Sequence, residues 1–225
     1  MKRSFLLASI LALMASMNLN ATLLSVLTAG GSLQGGGLTF DNFTFNRNCS
    51  GVGVCAPLDA SGIDVSLVGN QLQFAGGFAA LSVGGVATAD FLIGYNLLAT
   101  NAIGAIGLVF NGAVVGDQSF AQVVETVSVL GVVQGQGQVD APGGPLSALI
   151  TLNPDLNFMH IVKDIFLLAS DSGNGIAYAT ISFIDQIYRE GQPSGDPEPT
   201  PEPATYALMG AGLIGLYAAK RKVVS

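Results

Sequence analysis

From residue 38 to residue 190, apolar and polar side chains alternate in short runs. Ile63, Val65 and Leu67 take one side of the chain while Asp64 and Ser66 take the other. After Gly69-Asn70 the alternation resumes, with Leu72 and Phe74 set against Gln71 and Gln73. Period two marks a strand with one buried face, and two such runs around a two-residue turn predict a hairpin. The same reasoning predicts a hairpin about Asn111-Gly112, between Leu108-Val109-Phe110 and Ala113-Val114-Val115. Asp171-Ser172-Gly173-Asn174-Gly175 separates 161–169 from 176–187 in the same manner, and further strands are expected at 38–45, 91–98, 123–130, 136–139 and 147–152. Glycine pairs at 30–31, 76–77, 84–85 and 143–144, with Gly35-Gly36-Gly37, would interrupt helices but serve turns and bulges. The pattern predicts an all-β protein built as an antiparallel β-sandwich of jelly-roll type, with a β-helix as the alternative.

Two charged residues break the pattern. Within Val123-Val124-Glu125-Thr126-Val127-Ser128-Val129, alternation places Glu125 on the face of Val123, Val127 and Val129. Lys163 likewise shares a face with Ile161, Ile165 and Leu167. Either charge would be costly to bury alone, so Glu125 and Lys163 are expected to meet as a structural ion pair. The competing expectation is that both lie on an edge strand or reach out to water.

The two ends follow different rules. Residues 1–21 run from Lys2 and Arg3 through an uncharged apolar stretch, 4–17, to the small residue Ala21, the layout of a secretory signal peptide with its helix. At the other end Pro201-Glu202-Pro203 precedes an uncharged segment, 204–219, and the basic cluster Lys220, Arg221 and Lys222. The segment falls slightly short of the ~20 residues of an ordinary transmembrane helix, which suits a temporary anchor. The basic cluster should stay on the cytoplasmic side. Residues 191–203 hold five of the nine prolines and form a spacer, roughly 40 Å long if fully extended. The globular domain is therefore expected at 22–190.

Motif, apolar span and basic tail in that order at 201–225 resemble the PEP-CTERM sorting signal of Gram-negative bacteria. Its usual form begins Val-Pro-Glu-Pro, where Thr200 stands here in place of the valine, and a second Pro197-Glu198-Pro199 precedes it. The resemblance implies export across the inner membrane by the Sec machinery, transient anchoring in that membrane through 204–219, and processing by the membrane protease exosortase. It further implies delivery to the cell surface or extracellular matrix.

Charge then changes meaning. The whole chain carries −7, but five of the eight Lys and Arg sit in the two end signals. Residues 22–203 keep three, Arg47, Lys163 and Arg189, against all 15 Asp and Glu, a net −12. Such a surface repels phosphate backbones and excludes nucleic acid as a partner.

The chemistry on offer is sparse. Cys49 and Cys55 lie close together in an exported chain and are expected to form a disulfide worth roughly 2 kcal/mol. His160 is the single histidine and has no Gly-x-Ser-x-Gly or zinc-ligand companions, so it reads as structural. The 171–175 segment offers oxygen ligands but lacks the bidentate glutamate of a calcium loop. There is no tryptophan, and only Tyr95, Tyr178 and Tyr188 lie outside the ends to make a sugar platform. Thr-x-Thr ranks, which mark repetitive ice-binding faces, are absent; ice binding is known for some proteins with this signal. No cofactor, metal or enzyme activity is expected. The resemblance to sorted proteins implies a structural role, in surface or biofilm matrix. The rival is a β-sandwich module binding extracellular polysaccharide or another ligand, which an exposed patch around one of the three tyrosines would favour.

Overall fold

Strand pairing is antiparallel throughout the computed structural model, which describes residues 21–172 and 175–191. In chain order the elements are β1 (Thr22–Leu23), α1 (Leu24–Thr28), β2 (Leu33–Gly35), β3 (Leu38–Ala56), a 3-10 turn (Ala60–Gly62) and β4 (Asp64–Val68). They continue with β5 (Gln71–Val115), β6 (Phe120–Val129), β7 (Val132–Ala141), β8 (Ser147–Ser170) and β9 (Ile176–Glu190). Residues 1–20 and 192–225, and with them the expected signal peptide, spacer, transmembrane segment and sorting motif, lie outside the described residues.

β5 organises the fold. Its 45 residues stay extended but run as three legs. Leg 71–83 pairs with β4 and β9, leg 86–98 lies between β3 and β8, and leg 103–115 pairs with β9 and the start of β8. Two faces follow. One runs β2, β3, leg 86–98, the 158–170 part of β8, β6 and β7; the other runs β1, β4, leg 71–83, β9, leg 103–115 and the 147–151 part of β8. Their inner sides meet: Phe78 of the second face lies 5.3 Å from Phe91 of the first, Phe74 is 5.8 Å from Tyr95, and Tyr188 is 5.3 Å from Phe40. This is the antiparallel β-sandwich that period-two alternation predicts. The alternating residues Phe91, Ile93, Tyr95 and Leu97, with Ile161, Ile165 and Leu167, are all buried in it.

Strand lengths differ from the expected short pieces because the chain turns corners without leaving the extended state. At β3 the corner is built from glycine. Residues 38–51 pair with the leg that begins at residue 86, and 53–56 pair with residues 79–82 of the preceding leg. Gly51 has φ 93°, and a Cβ there would stand 2.1 Å from the Val86 carbonyl oxygen. The Cys49–Cys55 disulfide straddles this crossing and ties its two sides together.

Two predicted hairpins are corrected. Gly69-Asn70 does turn β4 into β5, with Val68 opposite Gln71. Asn111-Gly112 does not turn the chain: leg 103–115 runs straight through it along β9, with Asn111 opposite Phe183 and Gly112 opposite Ile181. The pair marks a bulge, and the glycine is needed because the Phe110 ring folds over it, 2.3 Å from where a Cβ would sit. β8 and β9 are not a hairpin either. Residues 158–170 of β8 belong to one face and β9 to the other, so 171–175 joins sheet to sheet.

Candidate functional site

The polar residues of this core are concentrated in one place. Glu125 on β6 stands directly opposite Lys163 on β8. Both side chains are wholly buried, and Lys163 Nζ donates to Glu125 Oε2. A third residue reaches the same oxygen from the facing sheet, since Gln186 of β9 donates to it through Nε2. The Gln186 carbonyl Oε1 accepts in turn from the hydroxyls of Tyr95 and Tyr188, the latter at 2.9 Å, and the two hydroxyls lie 3.0 Å apart. Glu125 Oε1 has no hydrogen-bond partner among the described residues. Lys163 Nζ also lies 5.7 Å from the centre of the Phe74 ring.

These five residues come from four strand segments: β6, β8, β9 and leg 86–98 of β5. Alternation explains the placement, because Glu125 shares the inward face with Val123 and Val127, Lys163 with Ile161 and Ile165, Tyr95 with Ile93 and Leu97, and Gln186 with Ile184 and Tyr188. All five side chains are closed off from bulk solvent. Burial pushes the Lys163 ammonium below its ordinary range, against the pull of Glu125. Burial, reinforced by nearby acidic groups, pushes the Tyr95 and Tyr188 hydroxyls well up, so both remain proton donors. Tyr95, Tyr188 and Gln186 are the members that the sequence reading did not single out as core polar groups.

On the outer side of the first sheet, Asn46, Arg47, Asn48, Asp90, Leu92 and Asp164 line a shallow pocket of about 230 Å³. Partial burial, and then the neighbouring Asp90, raise the Asp164 carboxyl above its usual range. His160 Nδ1 lies 3.0 Å from Asn96 Oδ1 on the adjacent strand, a cross-strand hydrogen bond. In the 171–175 connection, Asp171 accepts from the Gly175 N–H at 2.7 Å, and Asp117 accepts from the Ser172 N–H at 3.0 Å. Among the described residues no group of three or more His, Cys, Asp or Glu is arranged to hold a metal ion. Among the same residues no helix is long and apolar enough to cross a membrane. The three tyrosines whose exposure would favour a binding module are divided: Tyr95 and Tyr188 are buried, and Tyr178 is half-buried.

The described domain is thus an antiparallel β-sandwich with a buried polar cluster between its sheets. Residues 199–222, C-terminal to it, match the PEP-CTERM protein-sorting motif, the mark of an exported protein sorted by exosortase. The match takes in Pro201, Glu202 and Pro203 and ends on Lys222. No curated protein matches the chain. Among solved structures, the chain is similar to TmCBM61 in complex with β-1,4-galactotriose, with 12% identity over 64% of this chain and 88% of that one and a TM-score of 0.31. It is also similar to the enzymatically active domain of tailspike protein 4 from bacteriophage CBA120 (11%, 66% and 19%, 0.31). A third similarity is to a structure of carbohydrate-binding modules from the β-sandwich superfamily (13%, 76% and 62%, 0.30).

Proposed function

We propose that the protein is a non-enzymatic structural component of the cell surface or extracellular matrix of a Gram-negative bacterium. Sec carries it across the inner membrane, residues 204–219 hold it there briefly, and exosortase acts at Pro201-Glu202-Pro203 while Lys220, Arg221 and Lys222 remain on the cytoplasmic side. The observation that carries this reading is the sorting motif at 199–222, which follows in sequence a β-sandwich that buries Phe74, Phe91, Tyr95 and Tyr188. With Tyr95 and Tyr188 committed to the core, an aromatic sugar platform would have to be built without them.

The second reading is a module for extracellular polysaccharide, and the pocket lined by Asn46, Arg47, Asn48, Asp90 and Asp164 favours it, since amides, carboxylates and a guanidinium can bond sugar hydroxyls. Fractionating cells with and without the exosortase tests the first reading. The expected result is a shortened protein outside the inner membrane when exosortase is present, and a full-length membrane-bound chain when it is absent. An unchanged C-terminus in both rejects it. Retardation on polysaccharide gels that is lost in Asp90→Ala would favour the second.

A further inference from the structure

We propose that Lys163 and Gln186 become joined by an amide bond, formed inside the folded protein by their own side chains with Glu125, Tyr95 and Tyr188 as the catalytic groups. The inference rests on the core alone and is independent of how the chain is sorted.

The parts of an acyl transfer are joined in one continuous chain of hydrogen bonds, from Lys163 through Glu125 and Gln186 to the two tyrosines. Lys163 Nζ is the nucleophile and the Gln186 carboxamide is the electrophile, and both nitrogens bond the same oxygen, Glu125 Oε2. A group that touches the attacking and the leaving nitrogen at once is placed to move a proton from one to the other. The carboxamide oxygen faces away from them, toward two phenol hydroxyls. Two donors on one carbonyl oxygen form an oxyanion hole, and in a buried, low-dielectric interior they act more strongly than in water. Burial weakens the hold of Lys163 on its proton, which favours the amine that must attack.

The step balances without any outside reagent. Lys163 passes a proton to Glu125, and the free amine adds to Gln186 Cδ, placing negative charge on Oε1 between the tyrosine hydroxyls. Glu125 gives its proton to Nε2 and takes one from the former amine. The Cδ–Nε2 bond then breaks, the carbonyl reforms, and ammonia leaves. The product is an amide between β8 of one sheet and β9 of the other, with Glu125 left as the protonated acid. Each molecule reacts once, on itself.

Peptide mapping of the full-length chain, unfolded and with its disulfide reduced, tests the proposal. Trypsin is expected to leave the bond after Lys163 uncut. A further cut at Asp171 should release the Lys163 and Gln186 segments as one joined species, lighter by one ammonia than the two separately. Glu125→Gln and Gln186→Leu should each yield unlinked peptides of full mass, and Tyr95→Phe should slow the reaction. A wild-type chain cleaved after Lys163 at its full sequence mass overturns the proposal, whatever the variants do. So does a linked species lighter by one water that contains Glu125, or a link that persists in Gln186→Leu.

Discussion

Glu125 and Lys163 occupy opposed positions on neighbouring strands, and both side chains turn into the buried space between the sheets rather than out to the surface. A lysine and a glutamate held there depend on each other, since neither has another charge of opposite sign bonded to it among the described residues.

That dependence is measurable. In the Gln186→Leu background, where Lys163 keeps its free ammonium, Glu125→Ala removes the partner of Lys163 and should cost roughly 3–5 kcal/mol, the usual penalty for leaving a buried charge without its partner. Adding Lys163→Met to it should restore part of the loss, because the orphaned charge goes too. Urea denaturation in that background, with Glu125→Ala alone and with Lys163→Met added, gives both numbers; a further loss on adding Lys163→Met would contradict the argument.

The two buried tyrosines set an alkaline limit. Their folded-state ionisation is pushed up from the ordinary value of about 10. The unfolded chain therefore loses these protons first as pH rises, and stability falls. Below about pH 10 their contribution is complete, and above it the contribution declines toward the raised folded values. Ultraviolet titration should show Tyr95 and Tyr188 ionising only together with loss of the fold. Reversible ionisation of both near pH 10 in the folded state would show that the core is wet.

Gly112 supplies a third test. A methyl group there meets the Phe110 ring, so Gly112→Ala should destabilise by about 1–3 kcal/mol, seen as a lowered thermal midpoint. At Gly69 a Cβ meets nothing within 4 Å, and only its φ of 60° resists substitution, so Gly69→Ala should be the milder change. Equal losses at the two sites would mean that Phe110 can move aside.

Much of the sandwich is legible in the alternation of its strands. Phe91, Ile93, Tyr95 and Leu97 announce a buried face without any knowledge of their neighbours. Corners are less legible. A short glycine pair at Gly69-Asn70 turns the chain, whereas Asn111-Gly112 bulges it, and the difference lies in Phe110 and in β9 waiting alongside, neither of which is local information. The polar cluster divides in the same way. Charge makes Glu125 and Lys163 conspicuous on apolar faces. Gln186 obeys the same period beside Ile184 and Tyr188, but a neutral amide draws no notice until the facing sheet brings it to Glu125. Tyr95 and Tyr188 follow the inward period as well, but a phenol hydroxyl suits water as readily as it suits an amide, so nothing local ties them to Gln186.

β9 is the last strand of the described domain, and it leads directly into the residues that carry the sorting signal. It is also held along both edges, by leg 71–83 on one side and leg 103–115 on the other. Any tension drawn through the residues that follow must enter the domain at this strand. Pulled along its length, β9 would have to shear two full ladders at once instead of unzipping one bond at a time, so the point of attachment is itself braced against extraction.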